Sequence, residues 1–258
     1  MEQRDTFDAV AEIYAEVRPG YPRALFDDLA ALAGLSPDAA VLEVGCGAGQ
    51  ATGDLAARAR RVVALDPGPQ LIVQARAKVA AANAEFVVST FEALQAEPEA
   101  FDLVASAQAW HWVDPAVGFA KAAQALKLGG ALAIFGHVPM PTPAGFVPAF
   151  ERAFQRHAPG AWGHPPSQAW YLPAGPVAGI IQASGLFGPA IHRAYPWTWR
   201  LDPETYKRYL RTESGFNVLP EGARFALFDE LAQAIADHGG VMDAPWETHL
   251  YVARKSPA

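Results

Sequence analysis

The stretch that decides the fold is Val41-Leu42-Glu43-Val44-Gly45-Cys46-Gly47-Ala48-Gly49-Gln50. Its first four residues predict a buried strand. Its glycines predict a sharp turn at which a ligand can approach the backbone without meeting a Cβ atom. The dinucleotide fingerprint, G-x-G-x-x-G, would need a glycine where this chain has Gln50. Glu43 also disfavours a pyrophosphate, because a carboxylate repels phosphate groups, and it favours a ligand with a cationic group.

A second carboxylate follows the glycine loop at the spacing of a nucleoside site. Asp66 ends the second predicted strand, 17 residues after Gly49. An acid about 20 residues beyond such a loop commonly accepts hydrogen bonds from ribose hydroxyls. The alternative for an Asp-Pro pair is a simple turn or helix start. Together with Glu43, this residue favours S-adenosylmethionine, which carries a sulfonium, an ammonium and a ribose but no phosphate.

Short apolar runs alternate with helical patterns through the first two-thirds of the chain. The strands are predicted at 41–44, 61–65, 85–88, 101–105 and 131–135, and the helices at 51–60, 71–82 and from Asp114 to about Leu126. This alternation predicts βαβ units and a parallel sheet. Beyond it, helices are predicted at 146–157, 177–184, 203–210 and 221–238, and strands at 191–200 and 246–253.

Composition limits the class of protein. The 258 residues are 51% hydrophobic and 18% charged, which predicts a large buried core. A net charge of −7 disfavours a nucleic-acid partner, because binding a polyanion needs a basic surface. A single cysteine, Cys46, rules out an internal disulfide framework, and prolines break the uncharged stretch 129–150. With no secretory signal visible in the polar residues 1–8, we expect a cytoplasmic protein without a membrane partner.

The sequence resembles the class I S-adenosylmethionine-dependent methyltransferases, in particular the small-molecule branch of trans-aconitate methyltransferase-like proteins. The resemblance is carried by YAEVRPGYP at 14–22, the glycine loop, STFE at 89–92, AQAWHW at 107–112 and LKLGG at 126–130. It implies an α/β, Rossmann-like fold, with a seven-stranded, mostly parallel sheet, helices on both faces and an antiparallel last strand. We expect one domain over 1–258: a core at about 22–136 and 190–254, an N-terminal segment 1–21 that covers the cofactor, and a helical, aromatic cap at about 140–189.

The resemblance implies contacts to the methionine and ribose parts of the cofactor. Glu43 would face the methionine amino group, directly or through water. Gly45 and Gly47 would pass under the methionine and the ribose, whose hydroxyls Asp66 would hold. The other predicted contacts in these parts of the site are Cys46, Gln50, Pro67, Ala107 and Gln108.

It also implies contacts to the adenine. Leu71 would pack on the ring. Thr90 stands where many relatives have an aspartate against the adenine amino group, so the backbone N–H of Phe91 is expected to carry more of that recognition. The segment 212–216 departs from a Trp-Ser-x-Tyr-like pattern of relatives, which leaves the substrate open.

Tyr14, Arg18 and Tyr21 place an arginine among aromatic residues ahead of the first strand. Folded over the cofactor, Arg18 would pair with its carboxylate, beside Tyr14. The alternative is a surface helix on which Arg18 pairs with Glu12 or Glu16. Tyr21 is predicted to contact the substrate.

Trp110-His111-Trp112 follows the fourth strand, where this type of sheet presents side chains to its ligand crevice. Alternation predicts that the two tryptophans face one way and His111 the other. His111 is the candidate general base for a hydroxyl or carboxylic acceptor, with an ordinary pKa near ~6.5. The alternative is a structural histidine between two core tryptophans.

Four tryptophans in a charge-poor stretch predict the wall of an apolar pocket: Trp162, Trp170, Trp197 and Trp199. With Trp110, two of them, Trp170 and Trp197, are the predicted substrate contacts, and plain packing is the alternative. His137, His164 and His192 have no partner at metal-ligand spacing, so no metal site is predicted.

These patterns predict an enzyme that moves the methyl group of S-adenosylmethionine to a small molecule by direct in-line displacement. The resemblance favours a carboxylate or hydroxyl acceptor. Two other functions stay open: a protein that binds S-adenosylmethionine without transferring the methyl group, and a nicotinamide-dependent oxidoreductase on the same fold.

Overall fold

The protein, seen in a computed structural model, is described for residues 7–161 and 169–257, apart from the side chains of residues 217 and 218. Trp162 and His164 lie outside the described residues. The described α-helices are α1 (Ala11–Val17), α2 (Arg23–Ala33), α3 (Thr52–Ala56), α4 (Pro69–Lys78), α5 (Pro115–Ala125), α6 (Val147–His157), α7 (Val177–Ala183), α8 (Pro203–Arg211) and α9 (Glu221–Asp237). The strands are β1 (Ala40–Val44), β2 (Arg61–Asp66), β3 (Ala84–Val88), β4 (Phe101–Ala107), β5 (Leu126–Pro139), β6 (Ile191–Leu201) and β7 (Met242–Arg254).

The described strands form one seven-stranded sheet in the order β3-β2-β1-β4-β5-β7-β6. Neighbours from β3 to β5 run parallel. The last strand, β7, lies between β5 and β6 and is antiparallel to both, which confirms the predicted sheet. The chain leaves β1 toward β2 on one side and later returns to place β4 on the other side. This reversal is the topological switch point at which open α/β sheets bind ligands.

The central strands have apolar side chains on both faces of the sheet, and helices cover both faces. All five residues of β1 are buried, as expected for a parallel strand covered by helices on both sides. Helices α5 and α7 contribute to the core on one face, and α2, α3 and α4 contribute to the core on the other. The prediction of helices on both faces is therefore confirmed.

A third core cluster joins α6, α8 and α9 to the ends of β6 and β7. Only α6 comes from the expected cap at 140–189, whereas α8 and α9 come from the connection between β6 and β7. Helix α7, inside the expected cap, packs on the sheet because Val177 and Ile181 are fully buried there. The helices away from the sheet therefore come from two separate parts of the chain.

Several element boundaries differ from the prediction, among them the end of α3 and the start of β5. Helix α3 is shorter than the predicted 51–60, because the Arg60 N–H already donates to the Ala39 carbonyl oxygen at 2.9 Å and directs the chain into β2. Strand β5 starts at Leu126 rather than 131, because Leu126 pairs with Phe101 before a register shift. Within the two described ranges, no helix combines the length and apolar character that crossing a bilayer requires.

Candidate functional site

A cavity of about 210 Å³ lies at the carboxyl ends of β1, β2 and β4. Its walls include the glycine loop, the end of β2 and the segment after β4, together with two covering segments, one from each half of the chain. The lining residues are Phe7, Tyr14, Arg18, Val44, Gly45, Gly47, Leu65, Asp66, Pro67, Leu71, Ser89, Phe91, Glu92, Ala107, Gln108, Ala109, His111, Trp112, Val113, Glu213 and Ser214.

The glycine loop wraps tightly around the end of β1. The N–H groups of Gly45 and Cys46 both donate to the Leu65 carbonyl oxygen, at 2.9 Å each. Gly45 has φ +71°, and a Cβ there would lie 2.2 Å from the Cβ of Ala109. Only glycine fits this position, because any side chain would meet both the strained backbone and the neighbouring loop. The loop therefore brings bare backbone to the edge of the cavity.

Asp66 links the end of β2 to the glycine loop. One carboxylate oxygen, Oδ2, accepts from the Gly47 N–H at 3.0 Å, and Oδ1 accepts from the Gly68 N–H at 2.9 Å. The side chain lines the cavity although the residue is buried. Burial raises the pKa of this carboxyl, against the opposing effect of the two N–H donors. Each oxygen keeps acceptor capacity, since a carboxylate oxygen has two lone pairs.

Glu43 is fully buried next to this loop, although it is not among the lining residues. Its Oε2 accepts from the Thr52 hydroxyl at 2.6 Å, and within the described residues Oε1 has no hydrogen-bond partner. Burial raises the pKa of the carboxyl to about 7, which the Thr52 hydrogen bond only partly offsets. A buried acceptor without a partner is costly. A cation near this carboxyl would relieve that cost.

The N-terminal segment docks on the cavity next to helix α4. Asp8 caps helix α4, since its Oδ1 accepts from the N–H groups of Gln70 and Leu71, at 2.7 Å and 3.1 Å. Phe7 packs edge-on against both Tyr14 and Trp112, with ring centroids 5.8 Å and 6.2 Å apart. Residues 7–18 therefore form part of the cavity wall.

Arg18 lines the cavity but is already held by the protein. Its Nη2 donates to the Thr212 carbonyl oxygen and pairs with a Glu213 carboxylate oxygen, both at 2.6 Å, while Nε donates to the Thr212 hydroxyl. The guanidinium carbon also lies 5.0 Å from the ring centres of Tyr14 and Tyr209. The alternative prediction, in which Arg18 pairs with Glu12 or Glu16, is wrong. The Arg18 side chain is turned away from its own helix and contacts Thr212, 194 residues later in the chain.

Residues Trp110–Trp112 form a short 3-10 helix, so the predicted alternation is wrong. The three side chains point in three directions, as a threefold turn requires. Trp110 is buried against Phe91 and Phe119 in the core, which contradicts its predicted contact with the substrate. His111 and Trp112 both line the cavity.

His111 lies in the cavity wall, but it is not the base with an ordinary pKa that the sequence predicted. Burial lowers the pKa of its imidazole to about 4. Its Nδ1 lies 3.3 Å from the Tyr171 hydroxyl, and its ring lies 5.6 Å from that of Trp170. The ring is therefore neutral near pH 7 and is oriented by a tyrosine hydroxyl.

Three other predicted contacts do not reach the cavity in the described part of the chain. The Thr90 hydroxyl instead accepts from the Ala93 N–H at 3.2 Å. Trp170 packs against the core. The Trp197 indole N–H donates to the Thr248 hydroxyl at 3.0 Å and its ring packs on His137. These three side chains form turn hydrogen bonds or pack inside the protein, and their positions in the sequence do not indicate these contacts.

A second, smaller cavity of about 30 Å³ continues from the first past Gly45 and Gln108. The predicted residues Tyr21, Cys46 and Gln50 line it, and burial raises the pKa of the Cys46 thiol. Gln108, at φ +58°, has its side-chain Oε1 2.8 Å from the His137 N–H, which donates to it. This hydrogen bond ties the end of β4 to β5, next to the small cavity.

The structure brings eleven predicted residues together in the large cavity: Tyr14, Arg18, Gly45, Gly47, Asp66, Pro67, Leu71, Phe91, Ala107, Gln108 and His111. Sequence reasoning missed Phe7, Trp112, Glu213 and Ser214 as cavity residues. Reading 110–112 as a turn ahead of the Asp114-Pro115 helix start would have found Trp112. Nothing local marks Glu213, because its position depends on Arg18, far away in the chain. Among the described residues, no three His, Cys, Asp or Glu side chains are grouped so that they could hold a metal ion.

Comparison with known proteins agrees with this geometry. Residues 42–134 match the family model described as a methyltransferase domain. An uncharacterised methyltransferase of Mycobacterium tuberculosis is 36% identical over 131 residues, which cover 50% of this chain and 51% of that protein. The chain thus matches about half the length of the curated relatives. Residues 42–134 contain the glycine loop, Asp66 and the Trp110–Trp112 turn.

Solved structures share the fold over nearly the whole chain. A protein of Anaeromyxobacter dehalogenans described as a type II methyltransferase superposes with a TM-score of 0.62 at 23% identity, covering 92% of this chain and 96% of that one. A Haemonchus contortus phosphoethanolamine N-methyltransferase, solved with phosphomonomethylethanolamine and S-adenosylhomocysteine, gives a TM-score of 0.57 at 16% identity, over 100% of this chain and 61% of that one. The chain therefore shares its fold with solved methyltransferases, and its residues 42–134 are similar to a methyltransferase domain.

Proposed function

We propose that the chain is an S-adenosylmethionine-dependent methyltransferase that acts on a small molecule. The observation that carries the proposal is the meeting of a glycine loop with the buried carboxylate of Asp66 at one cavity, with the buried Glu43 next to the same loop behind the cavity wall. The methyltransferase domain at residues 42–134 supports the same activity. The trans-aconitate methyltransferase-like resemblance remains part of the proposal and concerns only the type of acceptor.

The residues around the cavity fit this cofactor. Asp66 has acceptor capacity for ribose hydroxyls, and Leu71 and Phe91 offer apolar surface for an adenine ring. Glu43 has a pKa of about 7, and its Oε1 has no hydrogen-bond partner among the described residues, so it would gain from a cationic amino group nearby. Because Glu43 is behind the lining, we expect this contact to run through water or across the backbone of Gly45.

Arg18 is the residue we assign to the methionine carboxylate. Its bonds to the 212–213 segment use Nε and Nη2, and within the described residues they leave Nη1 for a ligand. A guanidinium can hold two groups at once, because its donors point along different edges of one plane. Arg18 would then hold the cofactor and the covering segment together.

When bound, S-adenosylmethionine would supply an electrophilic methyl group for in-line displacement. The task of the chain is to align the acceptor and to exclude water, which together can lower a barrier by several kcal/mol. Phe7, Tyr14 and Trp112 supply apolar cover over the cavity. Burial lowers the pKa of His111 to about 4 and makes its imidazole a weak base, so we assign it the task of orienting the acceptor by a hydrogen bond rather than of removing its proton.

Titration calorimetry with S-adenosylmethionine and S-adenosylhomocysteine tests the proposal. We expect micromolar binding that Asp66→Ala weakens at least tenfold, about 1.4 kcal/mol. Asp38→Ala, which removes an exposed aspartate ahead of β1, should leave the affinity unchanged. No heat and no thermal shift with either ligand would contradict the proposal, and NAD would then be the next ligand. Release of S-adenosylhomocysteine during turnover separates an enzyme from a protein that only binds the cofactor.

A further inference from the structure

Resting on the proposed function, we infer that Gln108 binds the methyl acceptor rather than the cofactor, by donating a hydrogen bond from its side chain to an oxygen next to the atom that is methylated. Gln108 directly follows β4 and lines both the large and the small cavity, at the place where one continues into the other. A polar group at this place contacts a ligand that extends from one cavity into the other.

The backbone of Gln108 is held in a conformation that favours glycine. Its φ is +58°, and its N–H donates to the Phe135 carbonyl oxygen at 2.9 Å. Residues other than glycine rarely adopt this conformation, which costs free energy and is found most often at functional sites. The chain has a glutamine where glycine would suit the backbone better, which indicates that the side chain has a use.

The carboxamide of Gln108 has one fixed orientation. Its Oε1 accepts from the His137 N–H at 2.8 Å. A backbone N–H can only donate, so the atom that it meets is the oxygen, and Nε2 is the other end of the carboxamide. Gly136 leaves room for this arrangement, because a Cβ at that position would overlap both Oε1 and the ring of Tyr171.

The Nε2 group carries two N–H donors that have no hydrogen-bond partner among the described residues. It is not among the fully buried atoms that lack a partner in this part of the chain, so a ligand can reach it. An amide N–H needs a lone pair on the ligand. Under the proposed function, the cofactor's ammonium group is itself a donor, its ribose is assigned to Asp66 and its carboxylate to Arg18. The acceptor is the ligand that remains.

The chemistry of the transfer decides which atom of the acceptor Gln108 can hold. A lone pair of the acceptor forms the new bond to the methyl carbon, the carbon–sulfur bond breaks with its electron pair left on sulfur, and a hydroxyl acceptor loses its proton to water. A donor on the attacking atom would stabilise that lone pair before the reaction more than during it. A donor on a neighbouring oxygen orients the acceptor without this cost. The substrate class is therefore a molecule with a carbonyl, hydroxyl or ether oxygen beside its nucleophilic group.

The test compares two pairs of uncharged probes that match in shape, of which only one member has the neighbouring oxygen. The pairs are catechol with 2-methylphenol, and lactamide with 3-methyl-2-butanol. Binding to the protein loaded with S-adenosylhomocysteine is measured by calorimetry, and kcat/KM is measured from release of S-adenosylhomocysteine. We expect the member with the neighbouring oxygen to bind and react at least tenfold better than its partner.

Two substitutions separate the N–H donors from the other properties of Gln108. Gln108→Glu keeps an oxygen for the His137 N–H but has no N–H group, and Gln108→Met has neither an N–H group nor a charge. A loss that both variants share is therefore due to the missing donors. Both should reduce the preference within each pair to less than threefold, and neither should weaken binding of S-adenosylhomocysteine by more than threefold.

The same two substitutions at Gln124, an exposed residue of α5, are the matched controls and should change neither quantity. A wild-type protein that binds both members of each pair equally, or binds none of them, would overturn the inference. So would a preference that either folded Gln108 variant retains. A tenfold loss of S-adenosylhomocysteine binding in both variants would also overturn it, because Gln108 would then hold the cofactor. Failure of S-adenosylhomocysteine to bind the wild type would instead contradict the proposed function.

Discussion

Replacing the buried Glu43 by glutamine should change how stability depends on pH. In the folded protein, burial raises the pKa of Glu43 from 4.5 to about 7. Below pH 4.5 the carboxyl is protonated in both the folded and the unfolded chain and contributes no pH dependence. Between pH 4.5 and pH 7 only the unfolded chain loses the proton, so the free energy of unfolding falls as the pH rises. Above pH 7 the folded carboxyl ionises as well, and the loss is complete.

The size of this loss follows from the two pKa values. Between these two pKa values, each rise of one pH unit lowers the free energy of unfolding by about 1.4 kcal/mol. The total loss is about 3 kcal/mol. Glu43→Gln removes the titrating group but keeps an oxygen that can accept from the Thr52 hydroxyl. The variant should therefore gain about 3 kcal/mol relative to the wild type between pH 4.5 and pH 8.

Urea unfolding of both proteins at pH 4.5, 6 and 8 measures this difference directly, because all other titrating groups largely cancel in it. Glu204→Gln, an exposed carboxylate, serves as the control and should differ from the wild type by less than about 0.5 kcal/mol at every pH. A Glu43→Gln variant whose stability runs parallel to that of the wild type would refute the reasoning. The affinity of the Glu43→Gln variant for S-adenosylhomocysteine at pH 8 should fall, because the carboxylate that would attract the ammonium group of this ligand is gone.

Four further substitutions, with Gly53→Ala as a control for the first, test the site from other directions. Gly45→Ala should lower the free energy of unfolding in urea by about 2–4 kcal/mol, because Gly45 has a left-handed backbone and lies close to the next loop. Gly53→Ala, with open space around it, should be neutral or stabilising. Equal effects of the two substitutions would contradict the loop geometry. Trp110→Ala should cost about 3–5 kcal/mol, because it opens a core cavity. Trp112→Ala should cost less stability but should weaken S-adenosylhomocysteine binding in calorimetry, and the opposite ranking would show that the two rings are misassigned. His111→Gln should leave the shape of the kcat/KM profile unchanged from pH 6 to pH 9, because the imidazole is neutral throughout; loss of an inflection in that range would restore its role as a base.

The central strands could be predicted because their signal is local. The run that ends in Glu43-Val44 is apolar, is bounded by glycine and needs only helices on both faces to be buried. The position of Asp66 beside the glycine loop could likewise be predicted from its spacing, because the carboxyl ends of neighbouring parallel strands lie at the same edge of the sheet. These features do not depend on distant parts of the chain.

The part of the cover that comes from residues 213 and 214 could not be predicted, because it depends on contacts between distant residues. Arg18 has its partners at 212–213, and no pattern within either segment indicates the other. Trp110 and Trp112 are separated by a single residue, yet one lies in the core and the other at the cavity. Their places follow from a 3-10 turn, whereas a period-two pattern assumes an extended chain.

The long-range contacts of Arg18 also bear on the order in which the molecule is completed during synthesis. The N-terminal part of a chain emerges from the ribosome first. Helix α1 emerges early, but Arg18 must wait for Thr212 and Glu213, and β5 must wait for β7 before its second edge is paired. The glycine loop and the strand ends of the nascent chain therefore lack the part of their cover that comes from residues 212–214 until those residues have been made. For that period the first half of the chain depends on its own core, without help from the segment that later closes over it.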